Sequence, residues 1–344
     1  VKNIDDTDKR HMITQISMKM MRDIIYSLPD QIVDAIEIVK GLKTQREKFN
    51  KVIVCGMGGS GISGEILSAL YPGIEILSNK DYNIPRHIKK DALAILISYS
   101  GYTEETLNNY KLLSAKGIKI VVISSNGPLL KRKGLVKIKI PQGLPPRGAT
   151  GYLFAPLPII LHRFSLIKNN PDGELMRLAQ FLKRERDGLE EKGKRLAEKF
   201  INKLPIIYAN SYSFGVVANR WRCQFNENSK ILCHTNIIPE MNHNEIVGLG
   251  RPKILSPNIL LVFLNDPGAH SKNRLRVEII KEIIKNHRSS TIDIHPNGNG
   301  PLQRMFWTIM LGDFISYYLA IKTDIDPMPV SRIDYLKKRL AERR

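Results

Sequence analysis

Cysteine is scarce in this chain, with three in 344 residues: Cys55, Cys223 and Cys233. They cannot build a disulfide framework, and they lack the paired spacing of a zinc or iron–sulfur site, so no metal site is expected. The expected compartment is the reducing cytoplasm. Acidic residues are also few: 53 Lys and Arg against 33 Asp and Glu leave a net charge of +20. That excess predicts attraction to anions, and nucleic acid, an anionic membrane surface and a phosphorylated metabolite all qualify. Long apolar runs are missing. The stretches near residues 152–161 and 254–264 are too short, and too interrupted by proline or asparagine, to span a bilayer. The first twenty residues carry Asp5, Asp6, Asp8, Lys9 and Arg10, unlike a secretory signal. What is there is a globular mixture, 42% hydrophobic and 25% charged, with glycine and proline near average levels.

Apolar periodicity predicts a helical lead-in over residues 12–48, in which Ile24, Ile25, Leu28, Ile32, Ile36 and Val39 recur at helical spacing and Pro29 splits the segment. Short continuous apolar runs then alternate with helices of about a dozen residues. Strands are expected at 51–55, 74–77, 92–97, 118–123 and 136–140. This is the pattern of buried parallel strands, and it predicts an open α/β domain with helices on both faces. Residues 172–200 read as a charged helix with an apolar stripe of Leu175, Leu178, Phe181 and Leu182, interrupted at Gly188. A second alternation follows, with strands at 203–209, 230–235, 259–264 and 290–294, helices at 213–226, 273–286 and 302–321, and a terminal helix from residue 330. The expected fold class is therefore α/β, with two mainly parallel sheets flanked by helices and a C-terminal helix. The boundaries read as 1–48 lead-in, 49–168 first domain, 169–200 helical linker, 201–325 second domain and 326–344 tail.

Two loops carry chemistry. Gly56-Met57-Gly58-Gly59-Ser60-Gly61 joins the first strand to a helix. Gly58, Gly59 and Gly61 let the chain turn sharply and bring backbone N–H groups near an anion at a helix N-terminus, where Ser60 adds a hydroxyl. The GxGxxG spacing also suits a dinucleotide fold, but that reading needs an acidic residue after the second strand, and Asp81 beside Lys80 fits poorly. Ser98-Tyr99-Ser100-Gly101-Tyr102-Thr103 again links a strand to a helix. Ser98, Ser100 and Thr103 around Gly101 form a polar nest able to bond phosphate oxygens without net charge. The plainer reading makes Thr103 a helix cap.

This pair of loops resembles the sugar-isomerase (SIS) domain family, which binds phosphosugars. Further motifs extend the likeness to nearly the whole chain: Pro145-Pro146-Arg147-Gly148-Ala149, Asn226-Glu227-Asn228-Ser229-Lys230, Glu240-Met241-Asn242-His243-Asn244-Glu245, and Asp326-Pro327 through Ile333-Asp334-Tyr335-Leu336-Lys337. Together they resemble the bifunctional phosphoglucose/phosphomannose isomerases. The resemblance implies interconversion of glucose 6-phosphate or mannose 6-phosphate with fructose 6-phosphate, with no cofactor. It puts the phosphate on Ser60, Ser98, Ser100 and Thr103, makes Arg147 a cation near the enediolate and Glu227 the base, and links His243 and Lys337 to ring opening. It also implies a homodimer in which His243 reaches the neighbouring subunit's site. Tyr102 departs from the usual small polar residue of the second loop and bears on substrate preference.

The chemistry asks for such a set. Aldose–ketose isomerisation needs a carboxylate to move a carbon-bound proton, a cation for the enediolate oxygen, and a group such as histidine for ring opening near neutral pH. Other readings stand beside these. Glu227 is a surface carboxylate paired with Arg222 or Lys230, the 145–149 loop is a domain hinge, and Lys337 is one of a solvated basic run with Lys338. The competing functions are a phosphosugar-binding regulator and an isomerase of another sugar phosphate. No helix-turn-helix module is evident and the basic residues are dispersed, so no nucleic-acid or membrane partner is expected.

Overall fold

The computed structural model describes residues 6–42 and 47–343, with side chains of the first helix from residue 15 onward. Residues 1–5, 43–46 and 344, which fall in the expected lead-in and tail, lie outside the described residues. Helix α1 (Asp6–Tyr26) and helix α2 (Leu28–Lys40) meet at Ser27. Pro29 does not break a helix from within; it sits in the first turn of α2, where its missing N–H has no partner to lose.

The first half contains β1 (Lys51–Cys55), α3 (Gly58–Leu70), β2 (Glu75–Asn79), β3 (Ala92–Ile97), α4 (Glu104–Ala115), β4 (Lys119–Ser124) and β5 (Val136–Lys139). The strands form one parallel sheet in the order β2-β1-β3-β4-β5. Val52 and Val54 face one buried layer while Ile53 and Cys55 face another, which is why β1 shows no polar alternation. Helices α5 (Thr150–Phe154), α6 (Pro156–Arg163) and α7 (Asp172–Ala197) follow. Helix α7 runs unbroken through Gly188, because packing along α2 and α10 (Pro301–Lys322) outweighs one glycine's weak helix propensity.

The second half contains β6 (Leu204–Ala209), α8 (Tyr212–Glu227), β7 (His234–Ile237), β8 (Ile259–Leu264), α9 (Ser271–Ile284) and β9 (Ser290–Ile294), and its parallel sheet has the order β7-β6-β8-β9. Strand β7 starts four residues later than the apolar pattern suggests, because residues 228–230 are spent on ending α8. The connection after β7 contains two short 3-10 turns, Glu240–His243 and Glu245–Gly248.

Each sheet reverses its winding direction between its first and third strands in sequence: between β1 and β3, and between β6 and β8. In open α/β sheets the crevice for a ligand opens at the carboxyl ends of such strand pairs. The largest core cluster runs through α2, α7 and α10 and touches one face of both sheets, so the two halves share a hydrophobic centre. Within it lies an ion pair: Arg220 of α8 donates to Asp313 of α10 at 2.8 and 3.3 Å, both side chains being buried. Burial pushes the Asp313 carboxyl up, against the pull of Arg220. Replacing Asp313 with Asn leaves a buried guanidinium uncompensated, and should cost about 3–5 kcal/mol in urea unfolding at neutral pH. A change within about 0.5 kcal/mol, the range of ordinary surface substitutions, would show that the pair does not hold α8 to α10.

Candidate active site

The two loops meet at the switch point of the first sheet. Gly58 opens α3 with φ +52°, and Gly61 lies against the Gly56 carbonyl. Gly59 has a different duty: a Cβ there would lie 3.0 Å from the Pro146 oxygen and 3.2 Å from the Arg147 Cα. The loop and the 3-10 turn Pro146–Gly148 therefore touch backbone to backbone, and any side chain at Gly59 would have to push the turn back by a few tenths of an ångström. The Tyr99 amide donates to the Ser60 hydroxyl at 3.4 Å, tying the first loop to the second.

In the second loop, Gly101 holds φ +76°, and a Cβ there would fall 1.8 Å from the Asn126 oxygen. Around this fixed turn Ser98 is the organiser. Its hydroxyl accepts from the Gly101 and Thr103 amides and donates to Thr103 Oγ1 at 2.9 Å. Thr103 precedes α4 but makes no side-chain cap bond, so its hydroxyl is turned to Ser98 instead. Ser60, Ser100 and Thr103 each accept one hydrogen bond and, among the described residues, donate to no protein acceptor. Three O–H donors at one crevice are what a phosphate's oxygens require. Tyr102 is 65% exposed at the rim, its amide bonded to Ser100.

Arg147 is buried, and its guanidinium is used on every side. Nε donates to Asn228 Oδ1 at 2.7 Å, and Nη2 donates to the carbonyls of Pro327 at 2.6 Å and Met328 at 3.0 Å. Nη1 lies 3.5 Å from Glu227 Oε2. Burial lowers its pKa while Glu227 raises it, and a guanidinium stays charged throughout the usable pH range. Glu227 is the last residue of α8, partly open to solvent, and its ionic partner is Arg147. Arg222 bonds Asn219, and Lys230 bonds backbone carbonyls. Behind the site, Glu65 of α3 accepts from Lys80 at 2.5 Å and from Asn219 of α8 at 3.2 Å, which links the helix after the first glycine loop to the helix of Glu227.

Serine loops, Arg147 and Glu227 are thus contiguous in one chain. His243 and Lys337 are not joined to them. Both are exposed, and neither side chain makes a hydrogen bond or ion pair among the described residues. Neither Glu240 nor Glu245 holds His243. Glu240 bonds Asn244, and Glu245 pairs with His234.

Three supports escaped the sequence reading. Asn228 fixes Arg147 and is itself held by Ser316 at 3.0 Å. Arg220 donates to the Arg147 carbonyl at 2.6 Å. The Pro327 and Met328 carbonyls bring the C-terminal segment to the site. Asn228 and Pro327 lie inside motifs the sequence singled out, without a role given to them, and Arg220 carried no signal of its own.

The second sheet's switch point differs. A cavity of about 330 Å³ opens there, lined by Asn210, Asn265, Asp266, Arg274 and His295 among others. The Asp266 carboxylate accepts from the Gly268 amide at 3.0 Å, from Arg304 at 3.0 Å and from Ser211 at 3.4 Å.

Comparison with known proteins agrees with this geometry. The SIS domain family matches residues 47–143, and the bacterial phospho-glucose isomerase C-terminal SIS domain family matches residues 189–340. A bifunctional phosphoglucose/phosphomannose isomerase of Caldicellulosiruptor bescii is 42% identical, covering 94% of this chain and 99% of its own length. One of Aquifex aeolicus is 33% identical over 85% of this chain and 91% of its own. The C-terminal domain of glucosamine-fructose-6-phosphate aminotransferase from Francisella tularensis shares the fold, with a TM-score of 0.70 at 14% identity over 88% of this chain and 95% of its own. Fold, motifs and full-length similarity agree: the chain belongs to the bifunctional phosphoglucose/phosphomannose isomerase family, within the SIS-domain superfamily.

Proposed function

We propose that this chain is an enzyme that interconverts glucose 6-phosphate and mannose 6-phosphate with fructose 6-phosphate. The observation that carries the reading is the juxtaposition of Glu227 and Arg147, 3.5 Å apart, against the loop of Gly59 and Ser60. Ser60, Ser100 and Thr103 hold the phosphate with their spare O–H groups, while Ser98 sets the shape of the nest. Glu227 takes the proton from C2 of the open-chain aldose and returns it to C1. The cis-enediolate so formed carries negative charge on oxygen, and Arg147 stabilises it with a guanidinium already fixed by Asn228 and two carbonyls, so little reorganisation is needed. Glucose and mannose 6-phosphates differ only at C2. Both lose that stereocentre in the same enediolate, so one proton-transfer site serves both.

His243 and Lys337 act in ring opening, and His243 serves the site of a second copy in a homodimer. The exposure of apolar side chains near His243 supports this reading: Val247 is 85% and Ile254 83% exposed on the same connection between β7 and β8. The terminal helix α11 (Ser331–Glu342), which bears Lys337, buries none of its residues in the single chain and leaves Ile333, Leu336 and Leu340 exposed. The segment boundaries given above describe its domains, with residues 326–344 completing the site. A cytoplasmic location suits three free thiols. Among the described residues no helix is long and apolar enough to cross a membrane.

Three measurements check this. Glu227→Gln should keep phosphosugar binding and lose about 10²–10⁴-fold in turnover of fructose 6-phosphate. Full turnover would remove Glu227 as the base, and absence of C2 proton exchange in the unaltered protein would favour a binding regulator. Gly101→Ala, which drives a Cβ into the Asn126 carbonyl, should raise KM for the phosphosugar about tenfold or more; an unchanged KM would show that the nest does not hold the phosphate. Co-refolding equal amounts of Glu227→Gln and His243→Ala chains should restore about a quarter of wild-type activity, because half the dimers are mixed and one of their two sites is intact. If His243 served its own chain, no mixed site would be whole and nothing would recover.

A further inference from the structure

Lys230 is held in a conformation that lysine does not favour. Helix α8 ends at Glu227, the Ile231 amide folds back onto the Phe225 carbonyl at 3.3 Å, and Lys230 takes φ +58°. Glycine or asparagine is the usual residue where a helix ends this way, because a Cβ is strained in the left-handed region. Nothing in the backbone requires a lysine there. Its side chain supplies the reason for the choice.

The Lys230 ammonium donates to the Glu227 carbonyl at 2.5 Å, and the carbonyls of Asn228 and Pro327 both lie at 3.4 Å. Two of these oxygens end α8, at the residue read as the base and the residue that fixes Arg147. The third belongs to the segment leading to α11, and it is the carbonyl that Arg147 grips at 2.6 Å. One flexible cation thus spans the end of the base's helix and the start of the C-terminal tail. An ammonium with three donors suits three carbonyls better than a planar guanidinium would.

We propose that Lys230 is a positioning residue for the isomerisation: its ammonium pins the carbonyl end of α8 to Pro327, and so fixes Glu227 and the C-terminal segment relative to Arg147. This rests on the reading of Glu227 as the base. Lys230 acts through Glu227 and is not assigned a contact with the sugar. The charged groups facing it are Arg147 from the 3-10 turn, Glu227 from α8 and Asp326 from the segment after α10. Partial burial, and then Arg147, bring its pKa down from 10.5 to about 8. Above that pH the clamp loses its charge. The sign for stability is the opposite. Between about 8 and 10.5 the unfolded chain binds the extra proton, so this group makes the fold more stable as pH rises, and an alkaline loss of activity from it is not unfolding.

The decisive variant is Lys230→Gly, which removes the clamp and relieves the backbone strain together. Its urea midpoint should equal or exceed that of the unaltered protein, its kcat on fructose 6-phosphate should fall about ten- to a hundredfold, and its KM should stay within about twofold. Unchanged kcat overturns the proposal. A fall in kcat matched by lost stability also overturns it, since the lysine would then be structural. Lys230→Met adds a pH readout: the decline in kcat above about pH 8 in the unaltered protein should be absent from the variant's residual activity. The same decline in the variant assigns the titration to another group and counts against the clamp. If the unaltered protein isomerises no hexose 6-phosphate at all, it is the reading of the site's activity that fails, and the two failures are distinct.

Discussion

A guanidinium taken out of water needs acceptors for its N–H groups, and Arg147 finds them on two separate parts of the chain. Asn228 lies just past the end of α8, the Pro327 and Met328 carbonyls precede α11, and the Glu227 carboxylate is the negative partner. The acceptors are far apart in sequence, so one side chain sets the mutual placement of the second half and the C-terminal tail. The turn that carries it is pressed on the Gly59 backbone, and its own carbonyl is held by Arg220, which is paired with Asp313 in the core. The site inherits its rigidity from this chain of contacts, which runs from the centre of α10 out to the first glycine loop.

Rigidity of this kind matters for the chemistry. Electrostatic stabilisation of a developing oxyanion works best when the stabilising charge does not move to meet it. Arg147 has two carbonyls and an amide holding it from behind, leaving Nη1 toward Glu227. The hydroxyls of the nest are ordered in the same way, with Ser98 spending its hydrogen bonds on the loop while Ser60, Ser100 and Thr103 donate to no protein acceptor among the described residues. The first loop contributes shape through its glycines and one hydroxyl, Ser60, and the second contributes the hydroxyls of Ser100 and Thr103.

Much of this was legible in the chain. Continuous apolar runs such as residues 92–97 gave buried parallel strands, and the residue types at the two strand ends gave strand-to-helix turns, because such a turn places glycines and hydroxyls at a helix N-terminus whatever surrounds it. Local signals failed where long-range packing decides. Gly188 reads as an interruption, yet α7 continues, since its neighbours are α2 and α10. Residues 230–235 read as a strand, yet the first of them close a helix. Asn228 and Arg220 are unremarkable polar residues in sequence; they matter because α10 and the 327–328 carbonyls arrive beside them. His243 and Lys337 are exposed, and neither side chain makes a hydrogen bond or ion pair among the described residues.

The two sheets are wound alike, but the residues at their switch points differ. In the second, the Asp266 carboxylate lines the cavity, paired with Arg304 and bonded by the Gly268 amide. Guanidinium and carboxylate cancel there, so that pair leaves no net charge at the second crevice, and the same half carries the helix that ends at Glu227.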